Sequence, residues 1–210
     1  MKTNQSFFQK SFAKIGAAAL LLVIIIALAW RPLQVLNLQA RAGTRIESYI
    51  EAIGEPASRF LACQMPLLMD LPEDQGLSEA VALLEQAREY KPFQGQSLYQ
   101  LGRAYCLEGK YGQAIDALYA FIGTHPENPK GALEAAYAHL NLGEEAQAVQ
   151  RLSEAGYGFA YFLTQGQRAF EDRAYPTAWL SYRTAALFEP LPEDAALQLE
   201  LLSDSLEPQQ

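Results

Sequence analysis

Cysteine and histidine are nearly missing from this chain of 210 residues, with two of each: Cys63, Cys106, His125 and His139. Four scattered ligands of this kind cannot build the tight four-ligand spacing of a structural zinc site. No HExxH, GxSxG or glycine-rich phosphate loop occurs either, so the chain offers no metal site, no cofactor site and no enzyme. The carboxylate pairs Glu73-Asp74, Glu144-Glu145, Glu171-Asp172 and Glu193-Asp194 fall in or beside turns and helix starts, where they are solvated or favour a helix dipole. His125, beside Pro126, is expected in solvent, and His139 is expected as a packed residue. The two cysteines could pair in an oxidising compartment, but nothing in the sequence brings them within bonding distance, and a small buried or groove thiol is the plainer reading.

Acids are absent from the first 45 residues, which carry six bases: Lys2, Lys10, Lys14, Arg31, Arg41 and Arg45. From Ile46 onward all 24 acids stand against ten bases, a net charge of −14. Such a body is repelled by phosphate backbones and anionic lipid, which excludes nucleic acid as a partner.

Charge of either sign is missing from Ile15 to Trp30 (IGAAALLLVIIIALAW). Sixteen residues at helical rise span about 24 Å, a little short of a hydrocarbon core. Snorkelling by Lys14 and Arg31 and an interfacial Trp30 extend that reach. Residues 1–14 therefore read as a basic tail and 15–36 as a single transmembrane signal-anchor helix. The N-terminus is placed in the cytoplasm and the acidic body outside it. The alternative is a cleaved secretory signal ending at Ala27-Leu28-Ala29, which would leave a secreted or periplasmic protein. A bulky Trp30 at the new terminus, and apolar residues that resume at Leu33, Val35, Leu36 and Leu38, favour the anchor.

Residues 37–77 read as a juxtamembrane helix followed by a connector. Ile46, Tyr49, Ile50 and Ile53 share one helical face. Gly54 and Pro56 interrupt it, and Pro66 and Pro72 make the next stretch irregular. Helix returns near Ser78, a candidate cap.

From Gly95 to Asn128 two amphipathic helices are joined by a turn holding Gly109. Small Gly102 and Ala114 mark their crossing, Tyr105 and Phe121 fill the space around it, and Pro126 closes the unit. The pattern repeats at 34 residues: Ala80, Leu84 and Pro92 precede Ala114, Leu118 and Pro126, and Ala136, Gly143, Ala148 and Leu152 follow Gly102, Gly109, Ala114 and Leu118. A further unit, Phe159 to Pro192, carries Gly166, Ala178, Tyr182, Ala185 and Pro190 after a linker shortened by four residues. This 34-residue pattern resembles the tetratricopeptide repeat (TPR), a helix–turn–helix unit.

The resemblance implies an all-α, TPR-type α-solenoid of about three to four repeats over 78–192. A degenerate first repeat within 37–77 precedes it, and a polar-faced capping helix and tail follow at 193–210. Members of this family commonly hold peptides or partner subunits on a concave face lined by the first helix of each pair. Transferred here, the face would carry Gln96, Tyr99, Arg103 and Cys106, then Lys130, Leu133, Tyr137 and Asn141, then Leu163, Gln167 and Phe170. Arg103, Lys130 and Asn141 only partly fit a carboxylate clamp. Tyr157, Phe159, Tyr161 and Phe162 read as packing at the shortened junction. The implied function is a membrane-anchored protein-binding scaffold that helps assemble or stabilise membrane or envelope complexes. The alternative is a permanent accessory subunit of one large membrane complex. A protein or peptide partner is implied, and no small-molecule substrate.

Overall fold

In a computed structural model the backbone is described for residues 4–54, 60–90 and 94–206. Expectations placed on Pro56, Pro92 and the tail from Pro208 lie outside these residues, as do the side chains of Lys10, Lys14 and most of the Ile15–Trp30 run. Among the described residues there are ten α-helices and no strand: α1 (Asn4–Ile53), α2 (Met65–Leu68), α3 (Gln75–Arg88), α4 (Gln94–Leu107), α5 (Tyr111–Thr124), α6 (Pro129–Asn141), α7 (Glu145–Glu154), α8 (Phe159–Glu171), α9 (Tyr175–Ala186) and α10 (Glu193–Leu206). The protein is all-α.

The first helix is continuous through Pro32. Its C-terminal part buries Val35, Ala42, Ile46, Tyr49 and Ile50 and packs along α3, with a lesser contact to α4. Gln39 donates to Ser97 Oγ at 2.7 Å, and Arg45 pairs with Glu79 at 2.6 Å. No helix of the described residues is long and apolar enough to cross a membrane, and most of the Ile15–Trp30 run falls outside that set.

From α3 to α7 each helix packs on the next in sequence order, and α8, α9 and α10 do the same. Loops of three residues join α4 to α5 and α6 to α7, which forces neighbours to run antiparallel. At the crossing of α4 and α5 a methyl on Gly102 would lie 2.5 Å from Leu118 Cγ, and on Gly166 in α8 it would lie 2.5 Å from Tyr182 Cδ1. The small positions thus set how closely each pair approaches.

The turns after the first helices share one construction. The N–H of Gly109 donates to the Cys106 carbonyl and that of Lys110 to Tyr105. Gly143 with Glu144, and Arg173 with Ala174, repeat it. This closure needs a left-handed residue, and φ is 71° at Gly109 and 74° at Gly143. Arg173 is held at φ 59° without a glycine's freedom.

Several local expectations shift. Asp74, not Ser78, caps α3 by accepting from the Leu77 N–H at 2.8 Å, while Ser78 inside the helix donates to Glu108. His125 is half-buried, stacked on Phe121 at 4.8 Å and pressed against Gly95. The last helix buries Ala195 and Leu202 but leaves Leu197 and Leu201 exposed, so its outer face is not purely polar.

Candidate functional site

Helical spacing puts Tyr99 and Arg103 on one face of α4, and Glu134, Tyr137 and Asn141 on one face of α6. The hollow between them is not empty. The connector after α1 enters it, with Ala62, Cys63 and Met65 almost wholly buried and α2 touching both α4 and α9.

Side chains of α6 grip the connector by its backbone. Glu134 accepts from the Ala62 N–H at 3.2 Å and from the Cys63 N–H at 2.8 Å. Asn141 Nδ2 donates to the Cys63 carbonyl at 2.8 Å and to its own helix at Tyr137 O at 2.7 Å. Tyr137 is hydrogen-bonded to the side chains of Gln64 and Thr184, tying the connector to α9 as well. A disulfide between Cys63 and Cys106 fastens the same segment to α4. The cysteines, left open by the sequence, are therefore paired.

Electrostatics follow from that burial. Glu134 is fully buried, and loss of solvation pushes its carboxyl above the usual carboxylate range; Arg103, the two backbone donors and Lys130 hold it back. Arg103 Nε lies 3.5 Å from the carboxylate, and its guanidinium sits 5.8 Å above the Tyr99 ring. Burial, with the nearby Glu134 charge adding, pushes the Tyr99 phenol up to about 12 against the influence of Arg103. Burial likewise pushes Tyr137 up to about 12, against its hydrogen bonds to Gln64 and Thr184.

Of the residues singled out in the sequence, Tyr99, Arg103, Cys106, Tyr137 and Asn141 come together around the connector. Leu133 is half-buried between two core clusters. Gln96 and Lys130 are exposed near the starts of α4 and α6. On α8, Gln167 is exposed, and Phe170 packs 5.9 Å from Tyr175 in the separate cluster shared with α9 and α10. The third unit meets the connector through α9 instead, with Leu180 and Trp179 in the main core. The aromatic junction forms as a packed set, with Phe162 buried against Phe188 and Tyr161 edge-on to Tyr157.

Glu134 was not singled out beforehand. Its signal is a lone carboxylate within LEAAYAH, three residues before Tyr137 on an otherwise apolar, small-residue stretch. A second polar chain runs across α5, α6 and α7: Arg151 Nε donates to Tyr119 Oη, Tyr119 meets His139 Nε2, and His139 Nδ1 meets Glu144. An open cleft of about 750 Å³ lies beside the connector, lined by Met69, Asp70, Glu73, Glu108 and Tyr111 among others.

No protein-family model matches the chain, and no curated protein matches it in sequence.

Proposed function

We propose that this protein is a membrane-anchored scaffold of the TPR type whose repeats hold protein partners outside the cytoplasm and help assemble or stabilise membrane complexes. The observation that carries this reading is the groove between α4 and α6, which holds a peptide segment by its backbone through Glu134 and Asn141. Side-chain amides and carboxylates that bond a foreign backbone are the chemistry of peptide recognition. The hairpins that pack in order, with tight crossings at Gly102 and Gly166, support the repeat architecture.

Two observations support the setting. The disulfide suits an oxidising compartment, hence a body outside the cytoplasm. The first helix runs without a break from the apolar run into the packed body. A body joined this way hangs close to the bilayer, since Trp30 and buried Val35 are five residues apart, about 7.5 Å of helix. Affinity capture of the full chain from native membranes in mild detergent is expected to recover a membrane protein. Recovery of nothing, with the body intact, rejects the reading.

The filled groove favours a second reading, a permanent accessory subunit whose array serves as packing surface. Native-gel migration separates the two: constant co-migration with one complex indicates the subunit, and mostly free protein indicates the scaffold.

A further inference from the structure

The connector is held differently from an ordinary core segment. Its backbone is read by side chains distant in sequence, with separations of 71, 72 and 78 residues. Two successive N–H groups meet one carboxylate, the carbonyl of Cys63 meets an amide, and Met65 drops into the core at 1% exposure. Each contact is one that a separate peptide could make. The carboxylate is also ill-suited to a purely structural role: it is fully buried, and its nearest cation stands 3.5 Å away. Arg103 and the two N–H groups of whatever occupies the groove together favour its charged form.

Resting on the reading of this face as protein-binding, we propose that the Leu61–Leu68 segment is the groove's own ligand, held in cis, and that opening the Cys63–Cys106 bond lets a partner segment of the same chemistry replace it. The partner would present two consecutive free backbone N–H groups, then an acceptor carbonyl, then a flexible apolar side chain two residues on. The opening step is thiol–disulfide exchange with a dithiol reductant. The S–S bond breaks, Cys63 and Cys106 each gain a proton and together two electrons, and the reductant's two thiols become its disulfide. Both cysteines are fully buried, so the segment shields its own fastening, and a reductant reaches it only through local opening of the connector.

The probe is a fluorescent synthetic peptide with the sequence of residues 60–71 and serine in place of its cysteine. It is titrated against full-length protein in detergent micelles, with and without dithiothreitol. Binding is expected to be at least about tenfold tighter to the reduced protein, and Glu134→Gln in the reduced state is expected to lose about the same factor. Hydrogen exchange on the unmodified protein reads the other half. Reduction should release the Ala62 and Cys63 amides while those of α6 and α9 stay protected, and the Cys63→Ser/Cys106→Ser variant should match the reduced protein. Equal binding in both redox states overturns the proposal. So does absence of binding to a reduced protein whose α6 and α9 remain protected, or loss of protection throughout α6 and α9 on reduction. If any of these occurs while membrane capture still recovers a partner with the oxidised protein, the scaffold reading stands and the groove is simply not its seat.

Discussion

Gly102 and Gly123 are both glycines inside helices, yet substitution should move stability in opposite directions. A methyl at Gly102 meets the Leu118 side chain within 2.5–2.8 Å, so Gly102→Ala is expected to lose about 1–3 kcal/mol. Nothing lies within 4 Å of a methyl at Gly123, so Gly123→Ala should gain up to about 1 kcal/mol from helix propensity alone. Arg173 supplies a third case, because it occupies the left-handed turn position that glycine fills at 109 and 143. Arg173→Gly is expected to stabilise by about 1 kcal/mol. Thermal unfolding of the three variants beside the parent checks all three signs. The sequence marked Gly102 and the turn at Gly109 because spacing alone reveals them. It did not reveal that Gly95 stands over His125, since that contact joins the start of α4 to the end of α5.

Glu134 carries a pH dependence of definite sign. Its folded carboxyl titrates above the usual value because burial penalises the charge. Between the ordinary carboxyl pKa, about 4.3, and the raised folded value, the unfolded chain gives up its proton first. The stabilising contribution of this group is therefore complete below about pH 4 and declines as pH rises through the folded value. Denaturant unfolding across that range should show a falling segment that Glu134→Gln removes.

At the scale of elements, the connector and the disulfide act together. The bond joins residues 43 apart, and closing a loop of that size is worth about 4 kcal/mol on the chain-entropy account. Cys63→Ser/Cys106→Ser is expected to lower the unfolding free energy by up to that amount, and dithiothreitol should bring the parent to the same denaturation midpoint. A shift near zero would mean that Glu134, Asn141 and Met65 hold the connector unaided. The pairing of α1 with α3 was partly legible, because Ile46, Tyr49, Ile50 and Ile53 announce a helical face. Its long reach back to Val35 was not, since apolar residues there also suit a membrane interface. On α8 the periodic positions suggested a groove face, but the linker shortened by four residues precedes a unit that meets the connector with α9.

For the whole molecule, the charge division and the apolar run lead to a prediction at the membrane. The protein is expected to resist extraction by alkaline carbonate, to require detergent, and to yield an intact mass that begins at its first residues. A mature mass that starts at Trp30 would replace the anchor with a cleaved leader. Either result leaves the acidic body unchanged, because among the described residues the first buried side chain is Val35.

The sequence by itself announced the all-α class, the small residues at the helix crossings and the glycine turns, because each rests on side chains whose spacing follows the helical period. It read the stretch around Pro66 and Pro72 as irregular, whereas Met65–Leu68 forms the short helix α2 with the proline in its first turn, where the missing N–H costs nothing. Tertiary structure decided what fills the hollow, which cysteines meet and which helix of the third unit faces inward. The disulfide and the bonds from Glu134 and Asn141 join residues 43 to 78 apart, and the contact of α2 with α9 spans more of the chain still. Where such residues meet depends on linker length and on the curvature of stacked pairs, which no local pattern encodes.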